Sequence, residues 1–251
     1  MKQSLKRLIF GTRALQPFWK RLLDVSLAGL NIGTGGGSIS DDGEAYTVRY
    51  VLSSEKDPIV FDVGAQGGEY TDEVLAAALG RPSVFAFEPS LRDFRALEGL
   101  FDDRVRLFNI AFGDSIERAR LYPNGAQGLS SLYMRAGSAD EGEDVSIETI
   151  DSFCEKNGVE EITLLKLDVE GHEFACLRGA RRMLPSIRFI QFEMSAASRD
   201  ARVYFRDIFE YLADYRIYRI LRDGLAEVES PDKFSELLYT TNYLAIRKEA
   251  A

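Results

Sequence analysis

Short β-rich runs alternate with helical stretches along most of this chain, and no other feature narrows its possible folds so far. "IVFDVG" (59–64) precedes "EYTDEVLAAAL" (69–79), and "SVFAFEP" (83–89) precedes "LRDFRALEGLF" (91–101). "VRLFNIAFGD" (105–114) follows, then "ITLLKLDVEG" (162–171) with "EFACLRGARRML" (173–184), and "IRFIQFEM" (187–194) with "VYFRDIFEYLADY" (203–215). Strands separated by helices are joined by crossovers, so the pattern predicts a mostly parallel sheet covered by helices on both faces. The last two runs, "RIYRIL" (216–221) and "NYLAIRK" (242–248), lack a strong helix between them and predict an antiparallel pair closing the sheet.

A chain of 251 residues suits one such domain with additions. Its net charge of −9 argues against a nucleic-acid footprint, which needs a basic stripe to displace counterions, and favours a small-molecule partner. Cys154 and Cys176 are too few for a disulfide framework and have no C-x-x-C spacing. Two buried thiols in a reducing, cytoplasmic setting are therefore expected, with no structural zinc.

The first 30 residues differ from the rest. Six basic residues against Asp24 alone give them a charge of +5 and leave −14 for the remainder. Basic side chains interleaved with Leu, Ile, Phe and Trp read either as an interfacial helix, on the inner membrane surface or on a partner protein, or as a plain packing helix. No apolar run approaches the roughly 20 residues of a membrane span, and Pro17 and the charges speak against a cleaved signal peptide. The glycine-, serine- and acid-rich stretch 31–46 reads as a loop. The expected division is thus an N-terminal helical extension with its glycine-rich loop over residues 1–45 and the main domain over 46–251.

In open α/β sheets ligands bind beyond the carboxyl ends of the strands, so the residues just after each strand carry most information. The first such turn, "FDVGAQGGEY", spaces Gly64, Gly67 and Gly68 as G-x-x-G-G and not as the G-x-G-x-x-G of dinucleotide binders. Asp62 ahead of it repels a pyrophosphate but suits an ammonium or sulfonium, which favours S-adenosylmethionine over NAD. Glu88 ends the next strand, 24 positions after Gly64, where an acid can accept hydrogen bonds from both ribose hydroxyls. Asn109, Ile110 and Ala111 are placed to flank an adenine. The loop "YPNGAQGLSSLYM", with Gly125, Gly128, Ser130 and Ser131, reads as a lid over cofactor or substrate or as an exposed hairpin. "LLKLDVEGHEF" then puts Asp168, Glu170 and His172, the only histidine, beyond a strand expected to lie beside the first. Titratable groups gathered in a cleft point to function, although His172 and Glu173 also suit an ordinary helix start.

"FDVGAQGGEYT", "VFAFEPS", "NIAFGD", "VSIETIDSF", "LLKLDVEGHEFACLRGA" and "TNYLAI", in this order over residues 58–247, resemble the FkbM-type methyltransferases. "GTGGGSISDDGE" also looks like the leader of sugar-modifying members. Gln66 is a departure, since many relatives carry Asn there, but it keeps an amide. The resemblance implies a Rossmann-like class I methyltransferase fold with a seven-stranded, mostly parallel sheet. It further implies O-methylation of a sugar, glycan or related natural product by S-adenosylmethionine. The cofactor-binding set is then Asp62, Gly64, Gln66, Gly67, Tyr70, Thr71, Glu88, Asn109, Ala111 and Asp168.

Methyl transfer to an alcohol needs a group to take the hydroxyl proton. His172 is the first candidate, with Asp168 and Glu170 as the other catalytic residues. Related sugar methyltransferases use magnesium, so a divalent cation shared by Asp168 and Glu193 is a further possibility. Ser130, Ser131 and Glu193 are candidate substrate contacts. Two other classes compete: a non-catalytic cofactor-binding adaptor acting through the basic N-terminus, and a nicotinamide oxidoreductase. A homo-oligomer is compatible with all three readings.

Overall fold

The structure, a computed structural model, describes residues 9–34, 39, 41–124, 129–134, 142–237 and 239–248. Helices α1 (Gln16–Gly29) and α2 (Glu44–Leu52) lead into β1 (Ile59–Val63), α3 (Glu69–Ala77), β2 (Ser83–Phe87), α4 (Leu91–Leu97) and β3 (Val105–Phe108). The middle of the chain holds β4 (Ala111–Phe112), β5 (Glu117–Asn124), β6 (Leu129–Ser131), β7 (Glu143–Glu148) and α5 (Ile150–Asn157). It ends with β8 (Ile162–Leu167), α6 (Glu173–Gly179), β9 (Ile187–Met194), α7 (Ala196–Asp200), α8 (Phe205–Tyr211), β10 (Tyr215–Leu221), β11 (Gly224–Glu227) and β12 (Thr241–Arg247).

The main sheet runs β11-β10-β12-β9-β8-β1-β2-β3. β1 pairs in parallel with β2 and β8, while β12 runs antiparallel to both β9 and β10. The expected seven strands and their antiparallel closure are present, and the short β11 adds an eighth by folding back onto β10. Chain order reverses between β1 and β8, which makes their carboxyl ends the switch point of the sheet.

Period-two alternation sends Phe61 and Val63 to one face and Val60 to the other. On the first face Phe153 of α5 sets its ring edge-on against Phe61, Phe85, Phe87, Phe108 and Phe112. On the second, α2 lays Val48, Val51 and Leu52 over Val60, Val84, Leu164 and Leu244.

Three expectations need correction. The stretch 31–46 is not all loop, because α2 begins at Glu44, and a division at residue 45 cuts a helix packed on the sheet. "VRLFNIAFGD" is two strands in different sheets, parted where the Asn109 amide donates to Glu88 O (2.8 Å) and Pro89 O (2.9 Å). A second, four-stranded sheet, β4-β7-β5-β6, lies between β3 and β8 in sequence and was not foreseen. The stretch read as lid or hairpin forms the β5–β6 hairpin, though Gly125 and Gly128 lie outside the described residues.

Candidate active site

A cavity of ≈ 320 Å³ opens at the switch point. Much of its wall comes from strand ends: Val63 and Gly64 at the end of β1, Glu88 after β2, Asp168 to Glu170 after β8, and Glu193 with Ser195 at the end of β9. Ile110, Ala111 and Phe112 supply an apolar side, and His172 and Ser130 close it from the second sheet's direction. Glu88, Asp93, Asp168, Glu170 and Glu193 make the lining strongly acidic, so the cavity suits a cationic ligand and disfavours a pyrophosphate. A second hollow adjoins it, sharing Gly64, Gln66, Asp93, Asp168 and Glu193 and adding Gly67, Tyr70 and Lys166.

The turn after β1 passes so close to β8 that a Cβ on Gly64 (φ +86) would lie 1.9 Å from Asp168 O. Only glycine fits there. Gln66 is also left-handed (φ +45), and its N–H donates to Glu88 Oε2 (3.0 Å). Ser90 N donates to Glu88 Oε1 (2.9 Å). Two backbone donors thus hold the carboxylate, and each oxygen keeps a lone pair for a ligand. Burial pushes the Glu88 carboxyl up to about 7 against those opposing hydrogen bonds.

Beneath the turn a polar row crosses the sheet in register, with Asp62 on β1 opposite Lys166 on β8, and Lys166 opposite Gln191 on β9. All three are buried. Lys166 Nζ donates to Gly64 O (2.9 Å) and lies 3.2 Å from Asp62 Oδ1, within ion-pair reach but off the line of a hydrogen bond. It is also 3.6 Å from Asp168 Oδ2. Burial opposes its charge, yet Asp62, Asp168 and Glu44 outweigh burial and raise its pKa. Gln191 accepts from Tyr70 Oη (2.9 Å) and donates to Glu44 Oε1 (2.6 Å). Lys166 therefore ties both acids and the glycine turn into one rigid unit, and the sequence reading missed it. The signal was present: a lone lysine two residues after Leu164 on an inward face must find counter-charges.

Several sequence candidates face elsewhere. Asp62 is wholly buried and does not line the cavity; Thr71 Oγ1 donates to it (2.7 Å), and Lys166 meets its other oxygen. Thr71 is spent on that bond, and Tyr70 reaches the adjoining hollow with its hydroxyl directed to Gln191. Asn109 pins the loop that carries Glu88 and is absent from the cavity wall. Ser131 is buried and donates to Glu170 O (2.9 Å), steadying a residue in a left-handed conformation (φ +52). Glu173 also turns inward, taking the N–H groups of Val169 and Gly171 at 3.1 Å each.

His172 sits where α6 begins, with Tyr133 Oη 3.0 Å from its Nδ1. Tyr133, beyond β6, is a second residue the sequence reading missed, and 39 positions separate it from the histidine. A Cβ on Gly113 would lie 3.0 Å from Nε2, so the absent side chain leaves space at that edge of the ring. Burial lowers the His172 pKa, with Asp114 and Glu117 acting against it and Arg178 with it. Burial, then the neighbouring Asp168, Glu173, Glu170 and Glu44, hold Glu193 well above the carboxylate range.

The sequence model of the methyltransferase FkbM domain matches residues 62–220. Over 161 residues the chain is 29% identical to the 2-O-methyltransferase NoeI of Sinorhizobium fredii, covering 57% of this chain and 66% of that protein. Over 165 residues it is 29% identical to the hexuronic acid methyltransferase AglP of Haloferax volcanii, covering 61% of this chain and 63% of that one. The chain thus spans just under two thirds of either relative. The crystal structure of an FkbM methyltransferase from Methylobacillus flagellatus shares 18% identity at a TM-score of 0.47, over 76% of this chain and 44% of that one.

Proposed function

This chain belongs to the FkbM methyltransferase family, and we propose that it transfers a methyl group from S-adenosylmethionine to a hydroxyl of a sugar or glycan. One observation carries the reading: the Gly64 turn, Glu88, Asp168 and His172 meet in one acid-lined cavity at the β1–β8 switch point. The names of the two relatives, a 2-O-methyltransferase and a hexuronic acid methyltransferase, support a carbohydrate acceptor.

The residues present fit the cofactor. Glu88 has two lone pairs left for a ribose diol, Ile110 and Ala111 offer an apolar wall for the base, and the acids around Asp168 suit a positive end. Bound S-adenosylmethionine supplies an activated methyl group on a sulfonium and leaves as a neutral thioether. Alignment is the protein's main task, an effect worth roughly 7–11 kcal/mol for a near-attack pair. Lys166, by clamping Gly64 and Asp168, keeps that alignment rigid.

His172 is the base in this reading. With Nδ1–H donating to the Tyr133 oxygen, the neutral ring leaves Nε2 free to accept the acceptor's proton. Glu193, whose carboxyl burial holds well above its ordinary range, lies with Ser130 on the cavity wall, where both are able to hydrogen-bond an acceptor hydroxyl. Among the described residues no three His, Cys, Asp or Glu side chains converge on one point, and Asp168 and Glu193, on one cavity wall, are the pair that would share a divalent cation.

Separate calorimetric titrations with S-adenosylhomocysteine and NAD, each with and without EDTA, test this reading. Saturable binding of S-adenosylhomocysteine alone, unaffected by EDTA, is expected. Binding of NAD instead points to an oxidoreductase and ends the proposal, and cofactor binding lost on chelation calls for the metal.

A further inference from the structure

We propose that α1 is a membrane-docking helix, laying its apolar face on an anionic lipid surface and presenting the cavity mouth to acceptors carried there. The docking stands on the helix itself. Only the link to an acceptor rests on the function proposed above.

Of the 14 residues of α1, Leu27 is the only buried one. Phe18 (57% exposed), Leu22 (45%), Leu23 (51%) and Val25 (64%) face outward, and Phe10 (51%) adds to them from the preceding turn. At helical spacing Phe18, Leu22 and Val25 form one stripe, with Leu23 beside it. Arg21 falls next to Val25 and Lys20 next to Leu23, so a cation flanks each edge of the apolar face. Long basic side chains in that place reach headgroup phosphates while their stems stay among apolar groups. Among the described residues no helix is long and apolar enough to cross a membrane, so the contact is interfacial.

Charge favours lipid over a second copy of the chain. Residues 1–30 carry +5 and the rest −14, so an anionic surface attracts the helix, repels the body and orients the molecule helix-first. Pairing two such helices through their apolar faces instead brings Lys20 and Arg21 of both copies to one seam. The helix is also fixed at the site. Just past its end Asn31 Nδ2 donates to Asp42 O (2.7 Å) and Ile220 O (3.0 Å), and Gly33 N donates to Thr240 O (2.8 Å). Thr240 lines the same cavity as Glu88 and His172.

Co-sedimentation of the intact chain with vesicles of phosphatidylcholine, alone or mixed with phosphatidylglycerol, tests the proposal. Binding to the mixed vesicles, weakened by salt, is expected. Lys20→Ala with Arg21→Ala should lower partition by about 25-fold, roughly fivefold for each basic residue. Leu22→Ser with Val25→Ser should lower it further, with melting temperature and S-adenosylhomocysteine affinity unchanged in both variants. No binding of the folded chain to mixed vesicles overturns the proposal. So does a dimer that dissociates in the Leu22→Ser, Val25→Ser variant, which assigns the face to a second copy. A chain that binds vesicles but not S-adenosylhomocysteine keeps the docking and removes the proposed function instead.

Discussion

Replacing His172 by Ala lowers turnover by on the order of 10² or more while the affinity for S-adenosylmethionine stays nearly unchanged, because a general base acts in the transition state. The pH profile gives the sharper result. Burial lowers the His172 pKa from its ordinary value near 6.5, so the ring is neutral and able to accept a proton at physiological pH. The rate then falls only as pH drops through a value below 6.5, and this acidic limb vanishes in the variant. Tyr133→Phe keeps the limb but loses the hydrogen bond at Nδ1, so its turnover falls less than that of His172→Ala. A His172→Ala enzyme with near-normal turnover moves the role to Asp168 or Glu170.

Glu88→Ala removes up to two charge-assisted hydrogen bonds to a ribose, worth about 1.5–3 kcal/mol each, and should all but abolish cofactor binding. Because burial pushes the Glu88 carboxyl up to about 7 in the absence of cofactor contacts, affinity should also depend on pH. The ionised carboxylate accepts from both hydroxyls, so a bound ribose draws the pKa down. Affinity is therefore full above pH 7 and lost as pH falls through it, by up to tenfold per unit for one proton. Glu88→Gln should bind weakly with no such slope. Calorimetry with S-adenosylhomocysteine across this range reads both effects, and an unchanged Glu88→Ala affinity removes Glu88 from the site.

The main sheet was legible because β-rich runs and glycine turns are local signals, and the missing helix between "RIYRIL" and "NYLAIRK" announced the antiparallel closure. The second sheet was not, since strands such as "ERARLYPN" mix charge and proline and read as loop. Helix α2 hid for a related reason: Thr47, Val48 and Val51 are β-branched and favour helix weakly, and only packing on the sheet makes them helical.

Strand ends bring Glu88, Asp168 and His172 to one cavity, yet strand position does not say where a side chain points. Asp62, Thr71 and Ser131 lie beside the cavity and turn inward, because buried partners there need hydrogen bonds, and the exposed Asn109 is spent on the Glu88 and Pro89 carbonyls. Lys166 was legible from period two alone. Tyr133 was not, since only the tertiary fold sets it against His172.

The most direct test of methyl transfer to a glycan is a mass spectrum of cell-surface glycans from cells with and without the gene, the latter complemented with wild-type or His172→Ala protein. A methyl increment on a sugar hydroxyl is expected to vanish with the gene, return with the wild type and stay absent with the variant. Identical glycan spectra in all four, from cells in which the folded protein is made, contradict sugar O-methylation by this chain.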